Sequence, residues 1–270
     1  MLFEYNPTNN DFSLQRLRFD FNAIEARRFP DGKAGNVFRG ALGWAMRDLN
    51  PDAYRQFFEP RQNPGSGPSG FANPPRPFVL RAHHLDGRTF QPGEPFHADL
   101  HLFRQTPPEA FIQAMERVPL GRLRAVSCEP VVLPLGNRHE NISRMTVRFV
   151  TATELKMAGS VSGEPEFPIL FSRARDRLRS LLGRSLTLDF PGMATRSREI
   201  TMTSSKLIHE SRRRTSSKTG QTHPLGGFRG EASYEGDLDE FVPLLEAACW
   251  TGIGRQTVWG KGVIELKRLP

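Results

Sequence analysis

One stretch near the end of the sequence restricts the fold more than any other: Gly252-Ile253-Gly254-Arg255-Gln256-Thr257-Val258-Trp259-Gly260-Lys261-Gly262. Two Gly-x-Gly pairs bracket a short segment that carries a basic side chain. Glycine enters backbone conformations closed to other residues and lets another chain or a ligand come close. In a dinucleotide-binding fold, such a stretch would stand between a strand and a helix, with a second strand and an acidic residue further on. Only eight residues follow Gly262, so that arrangement is not expected. The expectation is instead a glycine loop packed between a helix and a last strand, with backbone open to an anionic group.

The hydrophobic pattern supplies the rest of the framework. Leu17, Phe19 and Phe21 alternate with Arg16, Arg18 and Asp20, which predicts a half-exposed strand over 14–21. After a turn at Pro30-Asp31-Gly32, the apolar spacing of Val37, Phe38, Ala41, Leu42, Ala45 and Leu49 predicts a helix over 36–49, with Arg39 off its apolar face and Gly43 one turn on. Residues 60–77 read as a Pro/Gly-rich loop. Strands are predicted at 77–82, 95–103 and 123–135, with a short helix at 108–117, which completes a β-α-β-β-α-β order. The rhythm then repeats. A strand at 145–150 and a helix at 168–182 precede strands at 195–209 and 225–234, with a polar basic loop at 210–222 between them. A short helix from Leu238 to Cys249 and a last strand at 258–266 close the series, with Pro243 tolerable only in that helix's first turn. The predicted fold class is α+β: two tandem ferredoxin-like folds, 1–137 and 138–270, the second ending in the glycine-rich loop.

Charge is distributed unevenly. The net charge is +8, and residues 171–218 alone carry twelve basic and four acidic side chains. The excess thus sits in one contiguous segment, which points to a polyanion and most simply to nucleic acid. No apolar run approaches the roughly 20 residues of a membrane span, so no membrane partner is expected. The opening residues MLFEYNPTNNDF lack the basic and apolar regions of a signal peptide. Cys128 and Cys249 lack metal-ligand spacing and are read as buried thiols in a reducing, cytoplasmic setting. The nearest metal candidates, His83-His84 and His97 with His101, have no further carboxylate or histidine at ligand spacing, and no cofactor is expected.

The glycine motif, the Gly226-Gly227-Phe228-Arg229-Gly230 run before the last helix, and Phe38-Arg39-Gly40-Ala41-Leu42-Gly43 opening the first helix together resemble the CRISPR-associated endoribonucleases of the RAMP superfamily that cut precursor repeat RNA. The resemblance covers most of the chain, and the glycine loop is its most specific element. It implies two ferredoxin-like folds side by side, a repeat stem-loop and mature crRNA as ligands, and other CRISPR effector subunits as partners. It also implies cleavage without metal, in which the ribose 2′-hydroxyl attacks the adjacent phosphorus. That chemistry needs a group acting on the hydroxyl, cationic donors for the phosphorane charge, and an acid for the leaving oxygen.

The sequence departs from the family in having no histidine before His83, where many members carry one on or just after the first helix. Arg39 and Arg47 occupy that helix. Either the role passes to arginine, as is thought for a subset resembling the type IV systems, or a histidine comes from elsewhere, or the protein binds RNA without cutting. Arginine stays protonated and is a poor base, but it aligns a phosphate and offsets its charge. The candidate catalytic residues are Arg39, Arg255 in the glycine loop and His223 in the basic loop. The candidate RNA contacts are Arg173, Arg175, Arg177 and Arg179 along one helix, whose place would be against an A-form stem, with Arg184 just after that helix. Arg212, Arg213, Arg214 and Lys218 form a second basic cluster. Gly252, Gly254, Gly260, Lys261 and Gly262 belong to the glycine loop. Two functions fit: a metal-independent endoribonuclease that retains its product, or a non-cleaving RNA-binding subunit.

Overall fold

The computed structural model describes residues 10–59, 75–104, 106–136, 141–157, 160–182, 186–211, 213–215, 222–224 and 226–269. Two four-stranded antiparallel sheets dominate it. The first contains β1 (Asp11–Asn22), β2 (Phe78–Arg81), β3 (Pro95–Leu102) and β4 (Arg122–Pro134) in the order β2-β3-β1-β4. The second contains β5 (Arg144–Thr153), β6 (Thr201–Glu210), β7 (Gly227–Glu235) and β8 (Ile264–Leu269) in the order β6-β7-β5-β8. Helices α1 (Ala34–Leu49), α2 (Pro51–Phe58) and α3 (Glu109–Glu116) belong to the first set, and α4 (Phe167–Leu182), α5 (Phe190–Arg196) and α6 (Val242–Thr251) to the second. In each set the third strand lies between the first and the second, and the fourth flanks the first. That is the ferredoxin-like arrangement, made twice.

The alternation in β1 sorts its side chains as expected. Leu17, Phe19 and Phe21 are buried with Phe38, Leu42 and Phe111 of the helices. Arg16 on the opposite face lies 2.8 Å from Asp99 of β3. The second core draws on both sheets: Phe12, Leu14, Val79 and Phe103 from the first half cluster with Val147, Phe149, Tyr234 and α6. Covered in this way, α6 is apolar on most of its surface, and its one charged side chain, Glu246, pairs with Arg268 of β8. Its Pro243 falls in the first turn.

Several predicted boundaries move, each for a local reason. The strand expected at 195–209 is two elements. Asp189 caps α5 by accepting the Gly192 N–H at 3.0 Å, and the strand starts only at Thr201. Helix α2 was not anticipated, although Asn50 caps it through the Ala53 N–H at 3.0 Å and Pro51 opens it, a readable start signal. Within the expected basic loop, Arg213–Thr215 pairs with Thr222–Pro224 as a small hairpin. The last strand begins at Ile264 rather than 258, because Gln256, Gly260 and Gly262 have φ near +66°, +77° and +67°, a conformation no strand accepts. Trp259 therefore sits in a 3-10 turn, Thr257–Trp259. Cys128 is exposed rather than buried, because β4 is an edge strand, whereas Cys249 is partly buried. No helix among the described residues is long and apolar enough to cross a membrane.

Candidate functional site

The start of α1 and the glycine loop meet. Gly35 sits so close to the loop that a methyl group there would lie 2.8 Å from the Trp259 carbonyl oxygen and 2.9 Å from Gly260 Cα. Only glycine permits that approach. The Asp86 carboxylate accepts the Ala34 N–H at 2.8 Å, satisfying one of the orphan donors of the helix. Burial raises the Asp86 pKa, against that hydrogen bond and the charge of Lys261. Lys261 is itself 4% exposed and donates to the Gly32 carbonyl at 2.8 Å. It ties the loop to the turn before α1, which corrects its reading as an RNA contact: its ammonium faces the protein.

The loop is folded on itself rather than open. Gly252, Gly254, Gly260 and Gly262 all have positive φ. A side chain at Gly254 would collide with the Glu154 carbonyl, and one at Gly262 with that of Ile253. The N–H groups of Gly252, Ile253, Arg255, Gly260 and Gly262 donate to the carbonyls of Ala248, Gly262, Glu154, Thr257 and Ala152. These five amides are therefore closed to an anion. These glycines serve close packing of the chain. What the loop presents is Trp259 and Arg255.

Arg39 lies across this seam. Its guanidinium carbon is 5.3 Å from the ring centroid of Phe58 and 5.7 Å from that of Trp259. Such cation–π contacts contribute on the order of 0.5–2 kcal/mol each and orient the planar group. Phe58 reaches this position because Gly43 has no side chain: a methyl there would be 2.9 Å from its ring. Gly43 thus admits a core ring rather than a ligand, while Gly40 has nothing within 4 Å. Arg39 of α1 thus meets the end of the following helix, α2, and the glycine loop from the other end of the sequence.

The other predicted residues divide. Arg255 is half-exposed and forms an ion pair with Glu154, which is nearly buried, while its N–H donates to the Glu154 carbonyl at 3.0 Å. Arg177 is 3% exposed, and its Nε donates to the Thr251 carbonyl at 2.9 Å, so its place as an RNA contact is corrected to one inside the core. Arg173 and Arg175 lie 3.4 and 2.8 Å from the buried carboxylate of Asp176. Arg179 is the exposed one of the four, its guanidinium 5.6 Å from the Phe190 ring centroid. Packing of α4 against α6 thus encloses Arg177 and leaves Arg179 exposed. Arg213, Arg214 and His223 lie in the small hairpin, with Arg214 opposite His223. Its base leaves the sheet where Phe228 pairs with Thr153, beside Glu154. Arg184, Arg212 and Lys218 lie outside the described residues. Glu154 and Phe58 carried no sequence signal, because each acts on a partner remote in the chain.

Two ferredoxin-like folds joined through a glycine loop define the class of protein. Comparisons with known proteins narrow it. The family model of the CRISPR-associated endoribonuclease Cas6 matches residues 147–264, and a model described as an N-terminal domain matches residues 12–125. The fold is similar to that of Thermus thermophilus Cas6 in a product complex, at 16% identity and a TM-score of 0.62, covering 94% of this chain and 100% of that one. It is similar to a partial Cas6-RT-Cas1–Cas2 complex at 10% identity and a TM-score of 0.62, covering 96% of this chain and 46% of that one. A RAMP protein binding different RNA substrates matches at 11% identity and a TM-score of 0.50, covering 94% of this chain and 99% of that one. No curated protein matches by sequence. The chain is thus similar to the Cas6 family over residues 147–264, and its fold is that of the Cas6 and RAMP structures.

Proposed function

We propose that this protein processes CRISPR repeat RNA: it binds a repeat stem-loop and cuts precursor crRNA without a metal ion, retaining the product. The observation that carries the reading is the Arg39 guanidinium between Phe58 and Trp259, at the seam between α1 and the glycine loop. The Cas6 family match over 147–264 supports the endoribonuclease class. Similar structures are described as a Cas6 product complex, a RAMP protein binding different RNA substrates and a partial Cas6-RT-Cas1–Cas2 complex, which supports RNA and other CRISPR proteins as partners.

In the proposed reaction the ribose 2′-hydroxyl loses its proton to solvent as its oxygen bonds to the adjacent phosphorus, and the bond to the 5′-oxygen breaks. A 2′,3′-cyclic phosphate remains on one fragment and a 5′-hydroxyl on the other. Arg39 offsets the charge that develops on the non-bridging oxygens, a donor role worth roughly 10²–10³ in rate at comparable sites. It keeps its proton throughout, so it is not the base. In-line positioning of the bound RNA supplies the remaining acceleration. His223 is the proposed acid for the leaving oxygen, and Arg255 and Arg179 are the proposed phosphate contacts.

The absence of histidine before His83 favours a second reading, a non-cleaving RNA-binding subunit. Incubation of a labelled repeat hairpin with the protein in EDTA, followed by end-group analysis, separates the two. A single cut leaving a cyclic phosphate is expected. Tight, stem-dependent binding without a cut would establish the second reading instead.

A further inference from the structure

A buried cluster joins the two halves at the end of α6. Arg81, the last residue of β2, is 6% exposed, and its Nη2 donates to the carbonyls of Cys249 and Trp250, both at 2.9 Å. His101 of β3 donates through Nδ1 to the same Trp250 carbonyl at 3.0 Å. Arg177 of α4 holds the next carbonyl, that of Thr251. These are the orphan acceptors that every helix leaves at its C-terminus, where the helix dipole is negative.

The arrangement is expensive as mere packing. Among the described residues neither guanidinium is hydrogen-bonded to a carboxylate. Burial pushes Arg81 down to about 10 and Arg177 down to about 9, the latter also through the charge of Arg81. Apolar side chains fill such space at no electrostatic cost. What the cations add is a fixed position for the end of α6, and Gly252 opens the glycine loop directly after it. The far end of the loop returns to the same strand: a methyl at Gly260 would lie 3.8 Å from the Leu80 carbonyl oxygen, and the Thr257–Trp259 turn packs on β2. One short strand, Phe78–Arg81, therefore holds both ends of the loop.

We propose that Arg81 is a positioning residue for RNA cleavage: by gripping the end of α6 it sets where the loop places Trp259 against Arg39, without touching RNA. The proposal rests on the reading of Arg39 given above. A displacement of about 1 Å in such a group costs roughly 10²-fold in rate.

The test is single-turnover cleavage of a labelled repeat hairpin at saturating protein, with RNA affinity and amide hydrogen exchange measured in parallel. Arg81→Met is expected to cleave roughly 10–100-fold more slowly with affinity within about threefold of wild type. Its Ile253 and Gly262 amides, bonded to Gly262 and Ala152 in the native loop, should exchange faster. Arg81→Lys, which restores one donor, should recover part of the rate. Wild-type cleavage by folded Arg81→Met overturns the proposal, as does a parallel fall of rate, affinity and melting temperature that lysine does not relieve. If Arg81→Met does not fold, Arg81→Gln is read by the same criteria. A wild-type protein that binds but never cuts defeats the functional reading instead, and unchanged loop exchange in the variant then overturns the positioning role.

Discussion

Gly35 and Gly260 meet backbone to backbone, the one at the start of α1 and the other in the glycine loop, with no room for a methyl group between them. Gly35→Ala should therefore push the loop away from α1, at an overpacking cost of about 1–3 kcal/mol. Gly40→Ala, in the same helix with nothing within 4 Å, should instead stabilise by about 0.4–1 kcal/mol through the unfolded chain. Urea melts of the two variants read the difference. Equal stabilities would mean that the loop does not seat on α1.

Arg39→Ala should slow cleavage roughly 10²–10³-fold while RNA affinity changes far less, because the interaction is made with charge that develops in the reaction. Single-turnover rates and a binding isotherm separate the two quantities. A variant as active as wild type would remove Arg39 from the site.

Arg255 has a partner within the chain, so its substitution has two effects. Arg255→Ala leaves the nearly buried Glu154 carboxylate without its cation. We expect a stability loss of about 1 kcal/mol, limited because the arginine is half-exposed to solvent. Arg255→Ala combined with Glu154→Gln should restore stability, yet it should still bind repeat RNA more weakly, with a shallower dependence on salt. Wild-type affinity in the double variant would confine Arg255 to the ion pair.

Arg177 and Arg179 are two residues apart and should behave oppositely. Arg177→Ala removes a buried donor from the Thr251 carbonyl and should cost about 1–3 kcal/mol of stability. Arg179→Ala should leave the unfolding curve nearly unchanged and reduce the salt slope of RNA binding by about one unit. Thermal melts beside salt titrations check both, and equal melting temperatures would contradict the division.

His101 should make stability depend on pH. Burial, then the charge of Arg81, pushes its pKa from 6.5 down to about 3 against the hydrogen bond to Trp250. The unfolded chain therefore binds a proton between about pH 6.5 and pH 3 that the folded chain does not. This contribution is complete above about 6.5 and falls as the pH falls through that window, by up to about 1.4 kcal/mol per pH unit for one such group. His83, lowered to about 4 chiefly by burial, acts in the same direction. Urea melts between about pH 7 and pH 5 should show a smaller loss in His101→Gln than in wild type. An identical slope would exclude His101.

The period of the apolar residues was enough to place the strands of both sheets in order and to find α1, α3, α4 and α6, because side-chain alternation and helical spacing are local properties. The glycine motif likewise announced a tight loop, since runs of positive φ are written in glycine. The roles of single charges were another matter. Lys261 and Arg177 looked like surface cations by composition but are enclosed, whereas Arg179 is not. Whether a cation meets solvent or a carbonyl depends on which element packs over it. Arg81 had no distinguishing neighbour in the sequence, and its partners lie 168 and 169 residues away. The chain by itself determined the architecture and the existence of the loop, through local pattern. Only the tertiary structure decided that the loop's backbone faces its own protein and that Arg39 lies over Phe58 and Trp259, because those outcomes come from contacts between segments far apart in the chain.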